Sequence, residues 1–231
     1  MKFGVIVFPG SNCDRDIVTV TRGLLNQPTR MIWHTETDVS DCDVVVIPGG
    51  FSYGDYLRCG AIARFSPVMA AVSDHARRGR IVLGICNGFQ VLSESGLLPG
   101  ALVRNRNLQF VCNRVSLKVE RNDLAYTTAY TKGQVIEVPI AHGEGCYYAD
   151  AATLEDLEAS AQVVFRYTNS DGLVTPEANP NGSLNNIAGI CNKAGNVLGM
   201  MPHPERASDP ALGATDGLPF FKSLVACLAV V

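Results

Sequence analysis

The stretch that decides the fold is Ile81-Val82-Leu83-Gly84-Ile85-Cys86-Asn87-Gly88-Phe89-Gln90. Its first five residues are apolar, as in a strand buried on both faces of a parallel sheet. Glycines two positions before and after Cys86 permit a tight, strained turn in which neighbouring backbones come close. We therefore expect a cysteine nucleophile elbow, followed by a helix over residues 88–95 whose free N–H groups stabilise a thiolate.

The segments around this elbow predict an α/β protein. Val- and Ile-rich runs at residues 3–8, 43–47 and 80–85 alternate with helical spacing at residues 15–25 and 61–78, which indicates a parallel sheet covered by helices. Five later β-rich segments and an Ala194-Gly195-Asn196 hairpin turn predict an antiparallel extension; they are residues 111–119, 135–141, 163–167, 187–191 and 197–200. We expect a three-layer sandwich with a mostly parallel central sheet, closed by a helix over residues 220–230.

Composition limits the class of protein. The chain has 231 residues, 47% hydrophobic and 18% charged, which suits one folded domain over residues 1–231. A net charge of -3 gives no global attraction to nucleic acid, and we see no signal peptide or membrane span. Eight cysteines without a C-x-x-C pair predict neither a metal site nor a disulfide framework. We therefore expect a cytoplasmic protein.

A base for Cys86 must come from four histidines. His203 lies in Met201-Pro202-His203-Pro204-Glu205, where the following proline favours an extended backbone. Residues two apart then point the same way, so Glu205 can orient the imidazole as the acid does in a catalytic triad. The alternative is a plain Pro-His-Pro surface turn. We interpret His34 and His75 as structural, and His142, in a glycine-flanked loop, as a candidate substrate contact or a simple turn.

The loop Pro48-Gly49-Gly50-Phe51 ends the strand at residues 43–47 and offers backbone N–H groups for an oxyanion. Loops at the carboxyl ends of neighbouring parallel strands converge on one crevice, so this loop and the elbow face the same ligand. A simple Pro-Gly-Gly turn is the alternative. No G-x-x-x-x-G-K-[ST] phosphate-binding loop occurs.

With these residues in place, the chain resembles the class I glutamine amidotransferases, and among them the glutaminase subunits of phosphoribosylformylglycinamidine synthase. The resemblance covers most of the chain and rests on the elbow and four further motifs: Phe8-Pro9-Gly10-Ser11-Asn12-Cys13-Asp14, residues 48–61 (PGGFSYGDYLRCGA), His142-Gly143-Glu144-Gly145 and Met201-Pro202-His203-Pro204-Glu205-Arg206. The second of these four distinguishes this subunit from other amidotransferases.

The resemblance implies that Cys86, His203 and Glu205 hydrolyse glutamine through a glutamyl thioester. It also implies oxyanion donors near Gly50, Phe51 and Asn87, and a glutamine pocket shaped by Gln90. Ammonia would pass to a large synthetase subunit that binds ATP and magnesium and acts on formylglycinamide ribonucleotide, with a small third subunit bridging the two. No cofactor is expected in this chain.

Other classes of protein remain open at this point. The same elbow suits a stand-alone cysteine hydrolase or peptidase, or an amidotransferase subunit that serves another acceptor. A non-catalytic interaction subunit is a third hypothesis, which the intact Cys86, His203 and Glu205 disfavour. Residues 115–134 carry no motif, and residues 171–182 are predicted to be a surface loop that touches the synthetase.

Overall fold

The computed structural model describes residues 1–228, which form one nine-stranded sheet, a separate two-stranded sheet and flanking helices. The strands are β1 (Phe3–Val7), β2 (Thr29–Trp33), β3 (Val44–Ile47), β4 (Ile81–Ile85), β5 (Ala101–Val103), β6 (Val111–Val119), β7 (Val135–His142), β8 (Cys146–Tyr148), β9 (Val163–Thr168), β10 (Ile187–Cys191) and β11 (Val197–Met200). The helices are α1 (Asp14–Val18), α2 (Val68–Arg77), α3 (Asn87–Glu94), α4 (Ala151–Ala159) and α5 (Leu218–Leu228).

The large sheet has the strand order β2-β1-β3-β4-β11-β10-β9-β6-β7. The first five strands in this order are parallel, and the remaining pairings are antiparallel. Every residue of β3 and β4 is buried, so both faces of the parallel half are covered, as the apolar runs predicted. The predicted α/β sandwich with an antiparallel extension is confirmed.

Two predicted helices are interrupted. The helix expected over residues 61–78 is wrong in its first third, where only a 3-10 turn, Ala63–Phe65, forms before α2. Pro67 causes the break, because the residue before a proline is driven out of the helical region and Ser66 has φ -63° and ψ 142°. The helix expected over residues 15–25 continues past α1 as a π-helix, Thr19–Leu24.

Four of the described strands and helices had no predicted range, namely β2, the two strands of the β5–β8 ribbon and α4. The ribbon's strands have three residues each, too few for a periodic pattern. Helix α4 begins after Asp150, whose carboxylate accepts a hydrogen bond from the Thr153 N–H at 2.7 Å, an ordinary N-cap. Helix α5 begins two residues before its predicted start, and predicted positions 229–230 lie outside the described residues.

The segment of residues 115–134 belongs to the structural core. The ring of Tyr126 stacks on Phe220 of α5 with centroids 6.0 Å apart, and the Tyr130 hydroxyl donates to the carbonyl of Asp216 at 2.7 Å. This packing joins α5 to the antiparallel half of the sheet. None of the helices within residues 1–228 has the length and apolarity that a membrane crossing requires.

Candidate active site

Cys86 lies at the turn between β4 and α3 in a strained backbone conformation. Its φ is 52° and its ψ is -108°, and such positions cost on the order of 1–3 kcal/mol for a non-glycine residue. A Cβ on Gly88 would lie 1.9 Å from the carbonyl oxygen of Ile47, and one on Gly84 would lie 2.6 Å from that of Gly88. The structure therefore has the expected elbow geometry, and both flanking glycines are required by close backbone approach.

His203 and Glu205 reach the same edge of the sheet as Cys86. Strands β4 and β11 are parallel neighbours, so the residues that follow them emerge together. A Cβ on Gly49 would lie 2.8 Å from His203 Cε1 and 3.4 Å from Cys86 Cβ, so the loop after β3 touches both side chains. His203 Nδ1 is 2.6 Å from Glu205 Oε1, and both residues are buried. The carboxylate thus fixes the orientation of the imidazole.

The buried carboxylate also controls the charge of His203. Burial opposes ionisation of the imidazole, but the negative charges of Glu205 and Cys86 outweigh it and raise the pKa of His203 to about 10. The imidazole is therefore protonated at neutral pH. A cationic imidazole beside Cys86 is the arrangement that stabilises a thiolate and supplies a proton to a leaving amine.

The predicted oxyanion donors differ in availability. Asn87 is the first residue of α3, so its N–H has no intrahelical acceptor. Gly50 has φ 143°, a conformation that favours glycine. The N–H of Phe51, in contrast, donates to the carbonyl of Gly10 at 3.0 Å. In the described part of the chain, the N–H of Asn87 at the start of α3 and that of Gly50 in the loop after β3 have no backbone acceptor, whereas that of Phe51 is engaged.

Two amide side chains join the elbow to the loops around it. Asn87 accepts a hydrogen bond from the Ser52 N–H at 3.1 Å and donates to Gln90 Oε1 at 2.9 Å. Gln90 in turn donates to the carbonyl of Glu144 at 2.6 Å. The elbow, the loop after β3 and the loop at residues 142–145 are therefore held in one hydrogen-bonded unit.

His142 is the last residue of β7 and not a loop residue, which corrects the sequence interpretation. It is buried; Nδ1 bonds with Asn105 Oδ1 at 3.1 Å, and the Asn181 side-chain amide approaches Nε2 at 3.5 Å. Burial, with a smaller contribution from the charge of His203, lowers the pKa of His142 to about 4, so the ring is neutral. A Cβ on Gly145 would lie 2.3 Å from the ring, so His142 packs beneath the turn that follows it.

Asn181 also corrects the interpretation of residues 171–182 as a surface loop. The first part of this segment is exposed, but Asn181 is buried. Its side-chain amide donates to the carbonyl of Gly145 at 2.8 Å. The end of the segment thus supports the loop at residues 142–145. The two histidines interpreted as structural lie in the following surroundings: His34 Nδ1 bonds with the Tyr53 hydroxyl at 2.8 Å, and His75 is buried.

A cavity of about 170 Å³ opens onto Cys86 and His203. Its lining includes predicted site residues from the elbow, the loop after β3 and the end of β11, and also residues to which the sequence gave no role. The lining residues are Asn12, Cys13, Gly50, Phe51, Cys86, Phe110, Ala141, His203 and Arg206. Asn12, Cys13 and Arg206 lie in motifs that carried the family resemblance, and that is the signal that could have marked them. Phe110 had no such signal.

A cysteine elbow at the carboxyl edge of a parallel sheet, with a buried histidine and glutamate beside it, is the arrangement expected of a glutamine amidotransferase domain. Comparison with known proteins agrees, since the family of CobB/CobQ-like glutamine amidotransferase domains matches residues 1–214.

Named relatives cover the whole chain. Phosphoribosylformylglycinamidine synthase subunit PurQ of Gloeobacter violaceus is 73% identical, with all of both chains covered. That of Acaryochloris marina is 71% identical over 97% of this chain and 96% of its own. Among solved structures, a chain of PurLQS from Thermotoga maritima has a TM-score of 0.86 and 41% identity, with 98% of each chain covered. This chain therefore belongs to the glutamine amidotransferase subunits of phosphoribosylformylglycinamidine synthase, which serve purine biosynthesis.

Proposed function

We propose that this chain hydrolyses glutamine with Cys86 as nucleophile, His203 as general acid and base, and Glu205 as the group that orients and charges the histidine. The observation that carries this assignment is the buried His203–Glu205 pair, joined at 2.6 Å, at the mouth of a strained cysteine elbow. A merely structural cysteine would gain nothing from the strain that φ 52° stores at this buried turn.

The reaction follows from these groups. The Cys86 thiolate attacks the side-chain amide carbon of glutamine, and the carbonyl oxygen becomes an oxyanion. The His203 imidazolium gives its proton to the departing ammonia, which leaves a glutamyl thioester on Cys86. His203, now neutral, removes a proton from water, and the resulting attack on the thioester releases glutamate and restores the thiolate. Glu205 stabilises the imidazolium at both ends of this cycle.

The oxyanion is held by the N–H groups of Asn87 and Gly50, with that of Phe51 joining them when the loop after β3 changes conformation. In the present conformation Phe51 bonds to Gly10, so the hole has fewer donors than the sequence motif offers. Loss of one such donor costs about 10²–10³ in rate in acyl-transfer enzymes. We therefore expect weak glutaminase activity from the isolated chain and activation by its partner.

Glutamine is proposed to lie between the elbow and the loop at residues 142–145. Gln90 shapes this pocket through its bonds to Asn87 and to the backbone of Glu144. His142 acts from beneath, since it is buried against Gly145 and is not part of the cavity lining. Its contribution to substrate binding is thus to hold the loop in place.

Residues 1–231 are proposed to act as a single amidotransferase domain that delivers ammonia to a large synthetase subunit. That subunit would bind ATP and magnesium and convert formylglycinamide ribonucleotide to formylglycinamidine ribonucleotide, and a small subunit would bridge the two. The likeness to a chain of the PurLQS assembly supports this partnership. Eight free cysteines suit a reducing cytoplasm, where we place the complex.

We propose that the synthetase subunit docks over the triad cavity. Phe51 and Phe110 line this cavity and are about half exposed. Two residues of the loop after Phe51 protrude further, since Tyr56 is 73% exposed and Leu57 91%. Exposed apolar side chains around a cavity mouth mark an interaction surface. A docked subunit would bury them and close the route by which ammonia escapes to solvent.

The test is ammonia release from glutamine by wild type, Cys86→Ala and the control Cys112→Ala, which removes an exposed cysteine of β6. Each protein is assayed alone and with the synthetase subunits, ATP and formylglycinamide ribonucleotide. We expect wild type and the control to be activated by the complex, and Cys86→Ala to be inactive throughout. Activity of Cys86→Ala equal to wild type would refute the nucleophile. Full activity of the isolated wild type would instead favour a stand-alone hydrolase.

A further inference from the structure

Cys13 is a second buried cysteine beside the triad, and the proposed reaction gives it no task. Its sulfur, a ring nitrogen of His203 and a carboxylate oxygen of Glu205 lie within 4.8 Å of one another, and all three residues are buried. Burial and the charge of Glu205 hold the pKa of the Cys13 thiol well above its usual range, so the thiol is neutral. A neutral thiol is a weak hydrogen-bonding group and brings no charge to the triad.

The thiol makes both of its side-chain hydrogen bonds away from the triad. It donates to the side-chain carbonyl oxygen of Asn12 at 3.1 Å, and its sulfur accepts from Arg206 Nη2 at 2.9 Å. The Arg206 guanidinium is also paired through Nε with Asp16 Oδ2 at 3.0 Å. Cys13 and Asp16 therefore hold the guanidinium at two points.

Glu205 is left with one oxygen unpaired. Its Oε1 bonds with His203 Nδ1 at 2.6 Å, whereas Oε2 has no hydrogen-bond partner in the described part of the chain, although Glu205 is 2% exposed. A buried carboxylate oxygen normally recruits a donor, and a guanidinium is among the strongest donors in proteins. The Arg206 guanidinium reaches the neighbouring Cys13 sulfur, yet among the described residues its ion pair is with Asp16 and not with Glu205.

A guanidinium bonded to Glu205 would weaken the catalytic histidine. The carboxylate acts on His203 through its negative charge, and a directly bonded cation cancels much of that field at the imidazole. Cys86 supplies negative charge only until the thioester forms, and the buried His142 is neutral. Among the described groups that face the ring, Glu205 is therefore the lasting source of negative charge.

We propose that Cys13 is a positioning residue for the triad, whose neutral thiol keeps the Arg206 guanidinium from bonding to Glu205. The whole charge of that carboxylate then acts on the catalytic imidazole. The unpaired Oε2 is the structural sign of this arrangement, because any donor that satisfied it would share the charge. The contacts of Cys13 and Arg206 stand without any assignment of activity, whereas the benefit to ammonia release rests on the proposed function.

Nuclear magnetic resonance titration of the His203 ring nitrogens in the full chain is the first test. In Cys13→Ala the guanidinium loses its sulfur contact and is free to bond to the carboxylate. Charged neighbours shift pKa values by about 1–3 units, so the His203 pKa, about 10 in wild type, should fall by about that amount. Cys13→Ser keeps a hydroxyl that can bond to both partners, so it should resemble wild type, as should Cys112→Ala, which removes an exposed cysteine of β6.

Removal of the guanidinium separates this role from simple packing. In the double variant Cys13→Ala with Arg206→Met, the group that would bond to Glu205 is absent, and the His203 pKa should return to the wild-type value or above it. A cavity left by the cysteine persists in the double variant, so a purely structural effect would not be reversed. Asp16→Asn releases the guanidinium from its other anchor and should also lower the His203 pKa, again reversed by Arg206→Met. This second variant keeps the test decisive if thermal melting shows that Cys13→Ala does not fold.

The pH profile of kcat in the assembled complex gives the second readout. The fall in ammonia release at high pH should begin about 1–3 units lower in Cys13→Ala than in wild type, and Arg206→Met should restore its position. An unchanged His203 pKa in Cys13→Ala, or a lowered one that Arg206→Met does not reverse, would overturn the proposal, as would equal pKa values in Cys13→Ser and Cys13→Ala. If the pKa shifts appear as expected but Cys86→Ala keeps full activity, the positioning role stands and the proposed function fails.

Discussion

Replacement of Glu205 by glutamine should change how the reaction depends on pH. The substitution keeps the shape of the side chain and removes one buried charge beside His203. Two unit charges about 4 Å apart interact by about 4 kcal/mol at an effective dielectric constant near 20, which corresponds to roughly 3 pKa units. The pKa of His203, about 10 in wild type, should therefore fall to roughly 7 in Glu205→Gln.

Ammonia can leave only while His203 holds its proton, so the variant should lose turnover as pH rises above about 7, by about tenfold per unit. Wild type should show no such loss until pH approaches the raised pKa. The assay measures kcat for ammonia release by the assembled complex between about pH 6 and about pH 9, in steps of about one unit. The control is Glu177→Gln, which removes an exposed carboxylate. Nuclear magnetic resonance of the ring nitrogens gives the His203 pKa directly. Parallel profiles and an unchanged His203 pKa would refute the role assigned to Glu205.

Three further predictions address the elbow, the buried network and the partner surface. Gly88→Ala should lower the free energy of unfolding by at least ~2 kcal/mol in urea melts and abolish glutaminase activity, because its Cβ would lie 1.9 Å from a β3 carbonyl oxygen. The control Gly23→Ala, which has open space around it, should change neither the free energy of unfolding nor the activity. In the folded chain His142 has a pKa of about 4, whereas in the unfolded chain it takes up a proton near pH 6.5, so the free energy of unfolding is unaffected above pH 6.5 and falls by ~3 kcal/mol as the pH drops to about 4. Urea titrations at about pH 7 and about pH 4.5 should show a smaller loss for His142→Gln than for wild type. An equal loss in the two proteins would contradict the assignment. Leu57→Asp, at a 91% exposed position, should weaken assembly with the synthetase subunit in sedimentation experiments without lowering the melting temperature, whereas Leu24→Asp should leave assembly intact; equal effects would exclude this face.

The parallel half of the fold could be predicted because its physics is local. A fully buried strand must be apolar at every position, and β3 and β4 show this in their sequences and in their burial. The elbow could also be predicted from the sequence, since no residue but glycine fits at position 88. Pro67 is a sequence signal for the break before α2. The sequence interpretation missed this signal because residues on both sides of Pro67 have helical spacing.

The supporting network could not be predicted, because its members are distant in sequence. Asn105 and Asn181 flank His142 from positions 37 and 39 residues away. An isolated asparagine in a loop has many uses, so no spacing rule identifies these pairings. The same holds for Cys13 and Arg206, whose side chains meet across 193 residues. Cysteine spacing along the chain therefore gave no sign of the contact between Cys13 and Arg206.

Activation by a partner requires an oxyanion donor that can be released and an exposed surface that the partner can contact, and the loop after β3 has both. Phe51 carries the N–H that bonds to Gly10 instead of facing the cavity, and its side chain is also about half exposed at the cavity mouth. Just beyond it, Tyr53, Asp55 and Leu57 all have positive φ values, from 55° to 71°. Such positions hold on the order of 1–3 kcal/mol of strain each.

A subunit that buries the protruding end of this loop therefore acts on a strained segment, and Asn87 holds the segment to the elbow through the Ser52 N–H. Relief of strain can offset the loss of the Phe51–Gly10 hydrogen bond, which is worth about 1 kcal/mol. The freed N–H would then complete the oxyanion hole only in the complex. A loop controlled in this way would restrict ammonia production to the complex that holds the acceptor. The Phe51→Ala variant keeps the backbone N–H and removes the exposed ring. If this variant assembles normally and is activated as strongly as wild type, contact of the partner with the Phe51 ring is not what releases the N–H.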